Sequence, residues 1–261
     1  MMYASMLAGQ FEPAIKAAHA LRDTLTSDLL SEERPHMAVT LEGYHSTFMH
    51  VLVRFGKWQE IIDFPLPNDP KLYCVSTVMC HYARCVAYSA LGQIEAATKE
   101  QDLFREARTQ VPESRLFFNN NADDILAIAD AMMVGEIEYR KENYETAFNH
   151  LETAVRLDDN LYYTEPWAWM HPPRHALGAL LLEQGHVEKA EQVYRADLGI
   201  DEILARPLQH PNNVWSLHGY LECLERTNQL NKAKEIQRSL KDALTLSGEA
   251  ITSSCYCRRD P

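Results

Sequence analysis

The residues best suited to chemistry in this chain are histidines, glutamates, tyrosines, arginines and one tryptophan that come from different copies of a repeated helical pattern. The candidate set is His50, Arg54, Tyr82, Glu136, Tyr139, Arg140, Arg174, His175, Trp215, His218 and Glu222. When the copies are aligned by their turns, these side chains fall on the inner face of the first helix of each copy. Stacked helix pairs line a groove with that face, so we expect these groups to share one polar groove.

Two kinds of chemistry fit this set. The candidate metal ligands are His50, Glu136, His175 and His218. Neutral imidazoles and a carboxylate are ligands that zinc, iron and copper take in proteins, which predicts a divalent transition metal as one alternative. A tyrosine of the set (Tyr82 or Tyr139) and an arginine (Arg140 or Arg174) then position an anionic substrate. The same groups also suit general acid–base catalysis without a metal.

A third interpretation requires no chemistry and no cofactor. A concave groove in a binding protein is wet and tolerates His, Glu and Tyr at any position. The spacing does not separate these interpretations, because the candidate ligands come from different repeats. No GxGxxG, P-loop, GxSxG or HExxH motif occurs in the sequence, so nucleotide-dependent and common hydrolase chemistries have no motif support. Whether the chain is an enzyme stays open at this point.

The elements that must position these residues are helix pairs, each joined by a tight turn. The predicted turn residues are Gly9, Gly56, Gly92, Glu142, Gly185 and Asn228. A small residue follows five positions after most of these turns, at the closest approach of two helices: Ala14, Ala97, Ala147, Ala190 and Ala233. The pattern predicts six helix pairs near 1–23, 42–64, 78–109, 126–158, 172–198 and 214–245, in one domain over 1–245, with a tail over 246–261.

This pattern resembles the tetratricopeptide repeat. The match is strongest in LGALLLEQGHVEKAEQVYRADL and in GEIEYRKENYETAFNHLETAVRL. Three stretches, VLVRFGKWQEII, EPWAWMHPPRHALGALLLEQG and HPNNVWSLHGYLECL, are similar to one largely uncharacterised bacterial and fungal group within that family. The resemblance implies an all-α, right-handed solenoid of about six repeats. It also implies further repeats upstream of the segment that matches Met2–Leu21. This sequence then corresponds to a short product, to a truncated gene model, or to a chain whose first repeat is covered by a partner, and an uncapped first repeat favours self-association.

Charge and hydropathy disfavour two classes of partner, nucleic acids and membranes. The formal net charge of −12 disfavours nucleic acid, and no apolar run approaches the roughly 18–20 residues of a membrane-spanning helix. The six cysteines show no framework spacing, which fits a reducing cytoplasm. Cys80 and Cys85 fall in an apolar helical stretch and are expected to be buried thiols. Three alternatives stay open for Cys255 and Cys257: they bind a metal, they are oxidised, or they lie in a frayed tail.

These observations predict a scaffold or binding protein that engages a peptide or partner protein through the groove. Carboxylates in the groove favour a cationic or mixed-charge ligand. The alternative is a pocket in the same groove that binds a small molecule, with or without a metal, and acts as an enzyme.

Overall fold

The structure, a computed structural model, describes residues 1–248 and 250–258. Helices make up most of it. They are α1 (Met2–Leu7), α2 (Phe11–Thr24), α3 (Ser27–Leu30), α4 (Met37–His45), α5 (Thr47–Arg54), α6 (Trp58–Asp63), α7 (Cys74–Ala90), α8 (Ile94–Arg108), α9 (Ala122–Arg140), α10 (Tyr144–Asp159), α11 (Pro173–Glu183), α12 (Val187–Asp197), α13 (Val214–Arg226) and α14 (Leu230–Leu246). A 3-10 turn covers Arg206–Leu208, and a short antiparallel hairpin pairs β1 (Leu116–Phe117) with β2 (Asn120–Asn121). The all-α prediction is confirmed.

The six predicted turn residues each separate two helices, and each has a positive φ. The φ values are 70° at Gly9, 63° at Gly56, 74° at Gly92, 64° at Glu142, 77° at Gly185 and 56° at Asn228. Each turn also repeats one hydrogen-bond pattern, as where Gln93 N–H donates to Tyr88 O at 2.8 Å and Gly92 N–H to Ser89 O at 2.9 Å. This is the Schellman arrangement, which satisfies the last carbonyls of a helix and favours glycine at the left-handed position.

The small residues that follow these turns are buried. Ala14, Ala97, Ala147 and Ala190 have no exposed surface, and Ala233 is 7% exposed. At the corresponding position after Gly56, Ile61 is also fully buried. Small side chains at these positions let the two helices of a pair approach closely.

Contacts divide the chain into two compact units. Unit 1 comprises Met1–Ala14 and His171–Pro261, and unit 2 comprises Ile15–Met170. In unit 2, α7 packs against α8 and α9, and α9 packs against α10. In unit 1, α12 packs between α11 and α13, and α13 also packs against α14. One continuous stack over 1–245 stays a prediction.

The chain's first residues are held within unit 1. The indole Nε1 of Trp215 donates to Met6 O at 2.7 Å, and Ser247 Oγ donates to Gly9 O at 3.1 Å. Met2 and Met6 are buried there. Self-association through this end of the chain stays a prediction.

Two further findings concern the cysteines and the membrane. Cys74, Cys80, Cys85 and Cys223 are buried free thiols, which confirms the prediction for Cys80 and Cys85. Within the described ranges, no helix is both long and apolar enough to cross a bilayer.

Candidate functional site

The predicted site residues of unit 2 are buried, and several of them meet in one cluster. Exposure is 0% at His50, 3% at Arg54, 1% at Tyr82, 1% at Glu136 and 4% at Tyr139, and 5% for the side chain of Arg140. Arg140 Nη2 lies 3.8 Å from Glu136 Oε2, and its Nε donates to Ser89 O at 3.1 Å. Because these six side chains are almost inaccessible to solvent, they face one another inside unit 2 and do not face a solvent-filled groove.

Trp169 closes this cluster. Its ring lies edge-on to His50 at 4.8 Å and to Tyr82 at 5.2 Å between centroids, and it has no exposed surface. Burial lowers the pKa of His50 to about 3, so the imidazole is neutral at ordinary pH. Burial raises the pKa of the Tyr82 phenol well above its usual value, and the charge of Glu136 raises it further. The cluster is a packed polar core.

The predicted site residues of unit 1 lie on α11 and α13. Arg174, His175 and Trp215 are buried, whereas His218 and Glu222 are partly exposed. Because His218 and Glu222 are one helical turn apart on α13, their side chains lie on the same face. These two side chains are therefore the accessible part of the predicted set in unit 1.

The four candidate metal ligands divide between the units. His50 and Glu136 lie in unit 2, and His175 and His218 lie in unit 1. Within residues 1–248 and 250–258, no three or more His, Cys, Asp or Glu side chains are grouped as a metal site would require. A metal stays a prediction.

The partner of His175 is a carboxylate that the sequence analysis missed. Asp197, at the last position of α12, is fully buried. Its Oδ2 accepts hydrogen bonds from His175 Nε2 at 3.0 Å, Ser216 Oγ at 2.6 Å and Asn213 Nδ2 at 2.9 Å. Its Oδ1 accepts one from His210 Nδ1 at 2.8 Å. We call these five residues the Asp197 cluster.

The two histidines keep the Asp197 carboxyl group ionised. Burial alone would raise the pKa of Asp197, but the charges and hydrogen bonds of His175 and His210 outweigh it and hold the pKa well below its usual value. One feature of the sequence does point to this residue. An acidic side chain at the C-terminal end of a helix is unfavourable next to the helix dipole, so a buried Asp there must have strong partners.

Tyr194 lies beside the Asp197 cluster, in a gap that two glycines provide. A Cβ added to Gly178 of α11 would lie 2.5 Å from the Tyr194 Cζ, and one added to Gly219 of α13 would lie 2.2 Å from it. The ring of Tyr194 therefore fits between these two helices only because both positions lack a side chain. Its hydroxyl shares a hydrogen bond of 2.5 Å with Ser254 Oγ.

Ser254 belongs to residues 250–258, which we call the tail segment. The interpretation of this segment as frayed is wrong, because Ile251, Ser253, Ser254, Cys257 and Arg258 are all buried. Cys255 and Cys257 are joined by a disulfide bond. The segment is anchored on unit 1 by contacts with residues that are far away in the sequence.

Three side chains, those of Ser254, Tyr256 and Arg258, anchor the tail segment. Ser254 Oγ bonds to the hydroxyl of Tyr194 and to the carbonyl of His175, at 2.5 and 3.4 Å. The Tyr256 ring meets the Trp215 ring edge-on, at 5.8 Å between centroids. The Arg258 guanidinium donates to both oxygens of Glu222, Nη1 to Oε2 at 2.7 Å and Nη2 to Oε1 at 3.1 Å. His175, Tyr194, Trp215 and Glu222 together form what we call the tail-binding surface.

The electrostatics of this surface favour a cation. Burial would raise the pKa of Glu222, but the hydrogen bond and charge of Arg258 outweigh it and lower the pKa, with Arg226 contributing. Glu222 is therefore an anion at neutral pH and offers a planar carboxylate to a guanidinium. Three members of the surface, His175, Trp215 and Glu222, are predicted site residues. Tyr194 was not predicted, because its role depends on the gap between two other helices.

Comparisons of this chain with protein-family models, with curated proteins and with solved structures find no match.

Proposed function

We propose that this chain is a tetratricopeptide-like repeat protein that binds a peptide segment on the tail-binding surface of unit 1. The observation that carries this proposal is that the chain's own tail segment lies on that surface. A partner segment of the same chemistry competes with the tail segment for it. The ligand is a protein or peptide whose binding segment places an aromatic residue two positions before an arginine, as Tyr256 and Arg258 are placed here.

The contacts of the tail segment define what each group of the surface recognises. Glu222 binds a guanidinium through two parallel hydrogen bonds, which a lysine ammonium cannot reproduce. Trp215 takes the edge of an aromatic ring. The hydroxyl of Tyr194 pairs with a hydroxyl two positions before that aromatic residue. The ligand chemistry is therefore cationic and aromatic, in keeping with the net charge of −12.

The repeat architecture supports the same proposal. Six helix pairs share one turn geometry, and the buried small residues recur at one position after the turns. Repeat arrays of this kind present extended binding surfaces built from successive helices. We also propose that the partner is a protein or peptide, and not a nucleic acid or a membrane. The proposed location is the cytoplasm.

The proposal is tested with a labelled peptide of residues 250–258, AITSSCYCR, with its disulfide closed. In the intact chain the attached tail segment competes at an effective concentration in the millimolar range, so the free peptide binds weakly. The variant Arg258→Glu weakens the attached competitor. We expect the peptide to bind this variant at least tenfold more tightly, measured by fluorescence anisotropy.

Two matched substitutions on α13 locate the binding site. Glu222→Gln in the Arg258→Glu background removes the charge under the peptide arginine and should weaken binding by roughly tenfold, as expected for a charge-assisted pair. Glu225→Gln removes an exposed carboxylate from the same helix and should leave binding unchanged. Equal affinity of the two variants would reject the tail-binding surface as the peptide site.

A further inference from the structure

Unit 1 also contains a hydrogen-bonded row of three residues that the proposed peptide site does not use. The Tyr3 hydroxyl lies 2.8 Å from His210 Nε2, and His210 Nδ1 lies 2.8 Å from Asp197 Oδ1. The row runs from a half-buried phenol through an imidazole to a fully buried carboxylate. A nucleophile, a base and an orienting carboxylate stand in this order in enzymes that transfer acyl groups.

The carboxylate fixes the direction of both hydrogen bonds. Asp197 is ionised and therefore only accepts, so the proton on the Asp197 side of His210 is carried by Nδ1. His210 acts as a base in its neutral form, in which Nε2 carries a lone pair that faces Tyr3. The Tyr3 O–H consequently donates to His210, which is the arrangement that removes a proton from a nucleophile. The protonated ring, whose charge helps to hold the pKa of Asp197 low, is the form that results once the proton is transferred.

His210 is also held in place by its backbone. Its N–H donates to Asp197 O at 2.6 Å, and its carbonyl accepts from Asn213 Nδ2 at 2.7 Å. Asn213 in turn donates to Asp197 Oδ2 at 2.9 Å. A base whose ring and backbone are both anchored stays within reach of its nucleophile, which is the preorganisation that catalysis requires.

We propose that Tyr3 is an activated nucleophile that accepts an acyl group from a small carboxylic ester, with His210 as its base and Asp197 as the residue that positions the base. The Tyr3 oxygen attacks the ester carbonyl while its proton passes to His210 Nε2. The bond from the carbonyl carbon to the leaving oxygen then breaks, and His210 Nε2 returns the proton to that oxygen. Tyr3 is left as an acyl ester.

Hydrolysis completes the cycle without any further reactant. His210 Nε2 takes a proton from water, and the hydroxide attacks the acyl carbonyl. The bond to the Tyr3 oxygen breaks, and the proton passes from His210 to the phenolate. No electrons are gained or lost in either half, and the products are a carboxylic acid and an alcohol.

The test uses the full chain and p-nitrophenyl acetate as the probe. We expect acetylation at Tyr3, located by peptide mass spectrometry, together with a burst of p-nitrophenolate. Tyr162 is the internal control, because it is 70% exposed and lies in unit 2. Exposure alone would make Tyr162 the faster site, so preferential acetylation of the half-buried Tyr3 supports the relay. Faster acetylation of Tyr162 would overturn it.

Two substitutions separate activation from access. Tyr3→Phe removes the nucleophile and should abolish the burst. His210→Gln keeps a polar side chain but removes the base, and should slow acetylation of Tyr3 by at least a hundredfold, within the range of general-base effects. Acetylation of Tyr162 reports on the reagent in the same sample, and circular dichroism reports on folding. Unchanged acetylation of Tyr3 in His210→Gln, with Tyr162 also unchanged, would contradict the assignment of the base.

Discussion

Arg258 and Glu222 form a two-point ion pair in which the guanidinium nitrogens lie 2.7 and 3.1 Å from the two carboxylate oxygens. The side chain of Arg258 is 6% exposed and that of Glu222 is 21% exposed. The geometry is bidentate and mostly shielded from solvent, so this pair contributes more than an ordinary surface ion pair. It anchors the C-terminal end of the tail segment to α13.

Loss of this ion pair should release the tail segment. Glu222→Gln removes the charge at little cost in volume, and we expect a destabilisation of the docked tail of about 1–2 kcal/mol. The amide of Arg258, which donates to Cys255 O at 3.2 Å, should then exchange its hydrogen roughly five- to thirtyfold faster. Glu225→Gln serves as the control and should leave that rate unchanged. A Glu222→Arg/Arg258→Glu double variant that exchanges faster than both single variants would contradict a direct pair.

The turn at Glu142 should gain stability from glycine. Glu142 has a φ of 64°, a conformation that costs an L-residue about 1–2 kcal/mol and costs glycine nothing. After subtraction of the entropy that glycine loses on folding, Glu142→Gly should raise the free energy of unfolding by about 0.5–1 kcal/mol. Asn228→Gly, at the corresponding turn with a φ of 56°, should gain less, because Asn tolerates this conformation better. Urea unfolding measures both, and an equal or greater gain at Asn228 would contradict this explanation.

Local chemistry made these turns predictable, and it did the same for most of the helices. A glycine such as Gly185, with an apolar helical stretch before it and Ala190 five positions after it, indicates a helix end whatever the rest of the chain does. The residues of the predicted groove were also found correctly as residues of the first helices. Their accessibility was not predictable, because it depends on Trp169, which reaches His50 from more than 100 positions away.

The Asp197 cluster and the pair of Tyr3 with His210 also depend on contacts between residues that are not neighbours in the sequence. Asp197 is bonded to His175, 22 positions before it, and to Ser216, 19 positions after it. Tyr3 reaches His210 across 207 positions. No periodicity in the sequence reports such pairs, and only the observation that a buried Asp at a helix end needs partners points towards the first of them.

The Asp197 cluster should be costly to disturb. Asp197→Asn keeps the side-chain volume but replaces one accepting oxygen with a donor, so that at least one buried donor loses its partner. We expect a loss of about 3–5 kcal/mol at pH 7, as for a broken buried ion pair. Asp201→Asn, which loses a partly exposed pair with Arg195, should cost about 1 kcal/mol or less.

The pH dependence of the Asp197 contribution has a definite sign. The pKa of Asp197 in the folded chain lies well below the usual 3.8, so the unfolded chain binds the proton first. The stabilisation is therefore fully present above about pH 4 and is lost as the pH falls through the folded-state value. Asp197→Asn should lack this acid-side loss. A variant whose unfolding free energy falls as steeply as the parent's below pH 4 would contradict the assignment.

His50 should make the chain less stable in moderate acid. Its pKa is lowered from 6.5 to about 3 by burial, so between these values the unfolded chain binds a proton that the folded chain excludes. Stability is then lost as the pH falls below 6.5, at up to about 1.4 kcal/mol per pH unit. His50→Gln should remove that slope between pH 6 and 4. The pKa of His45 is lowered to about 4, so His45→Gln should remove a loss of stability that spans a narrower pH range, from 6.5 to about 4. Parallel slopes for the parent and His50→Gln would contradict this explanation.

The most direct measurement of the central claim is the affinity of the labelled AITSSCYCR peptide for the parent chain and for Arg258→Glu, at equal ionic strength. The proposal predicts at least tenfold tighter binding to Arg258→Glu, and loss of that gain when Glu222→Gln is added but not when Glu225→Gln is added. Equal, weak binding to all of these chains would show that the tail-binding surface holds only its own tail and takes no peptide ligand.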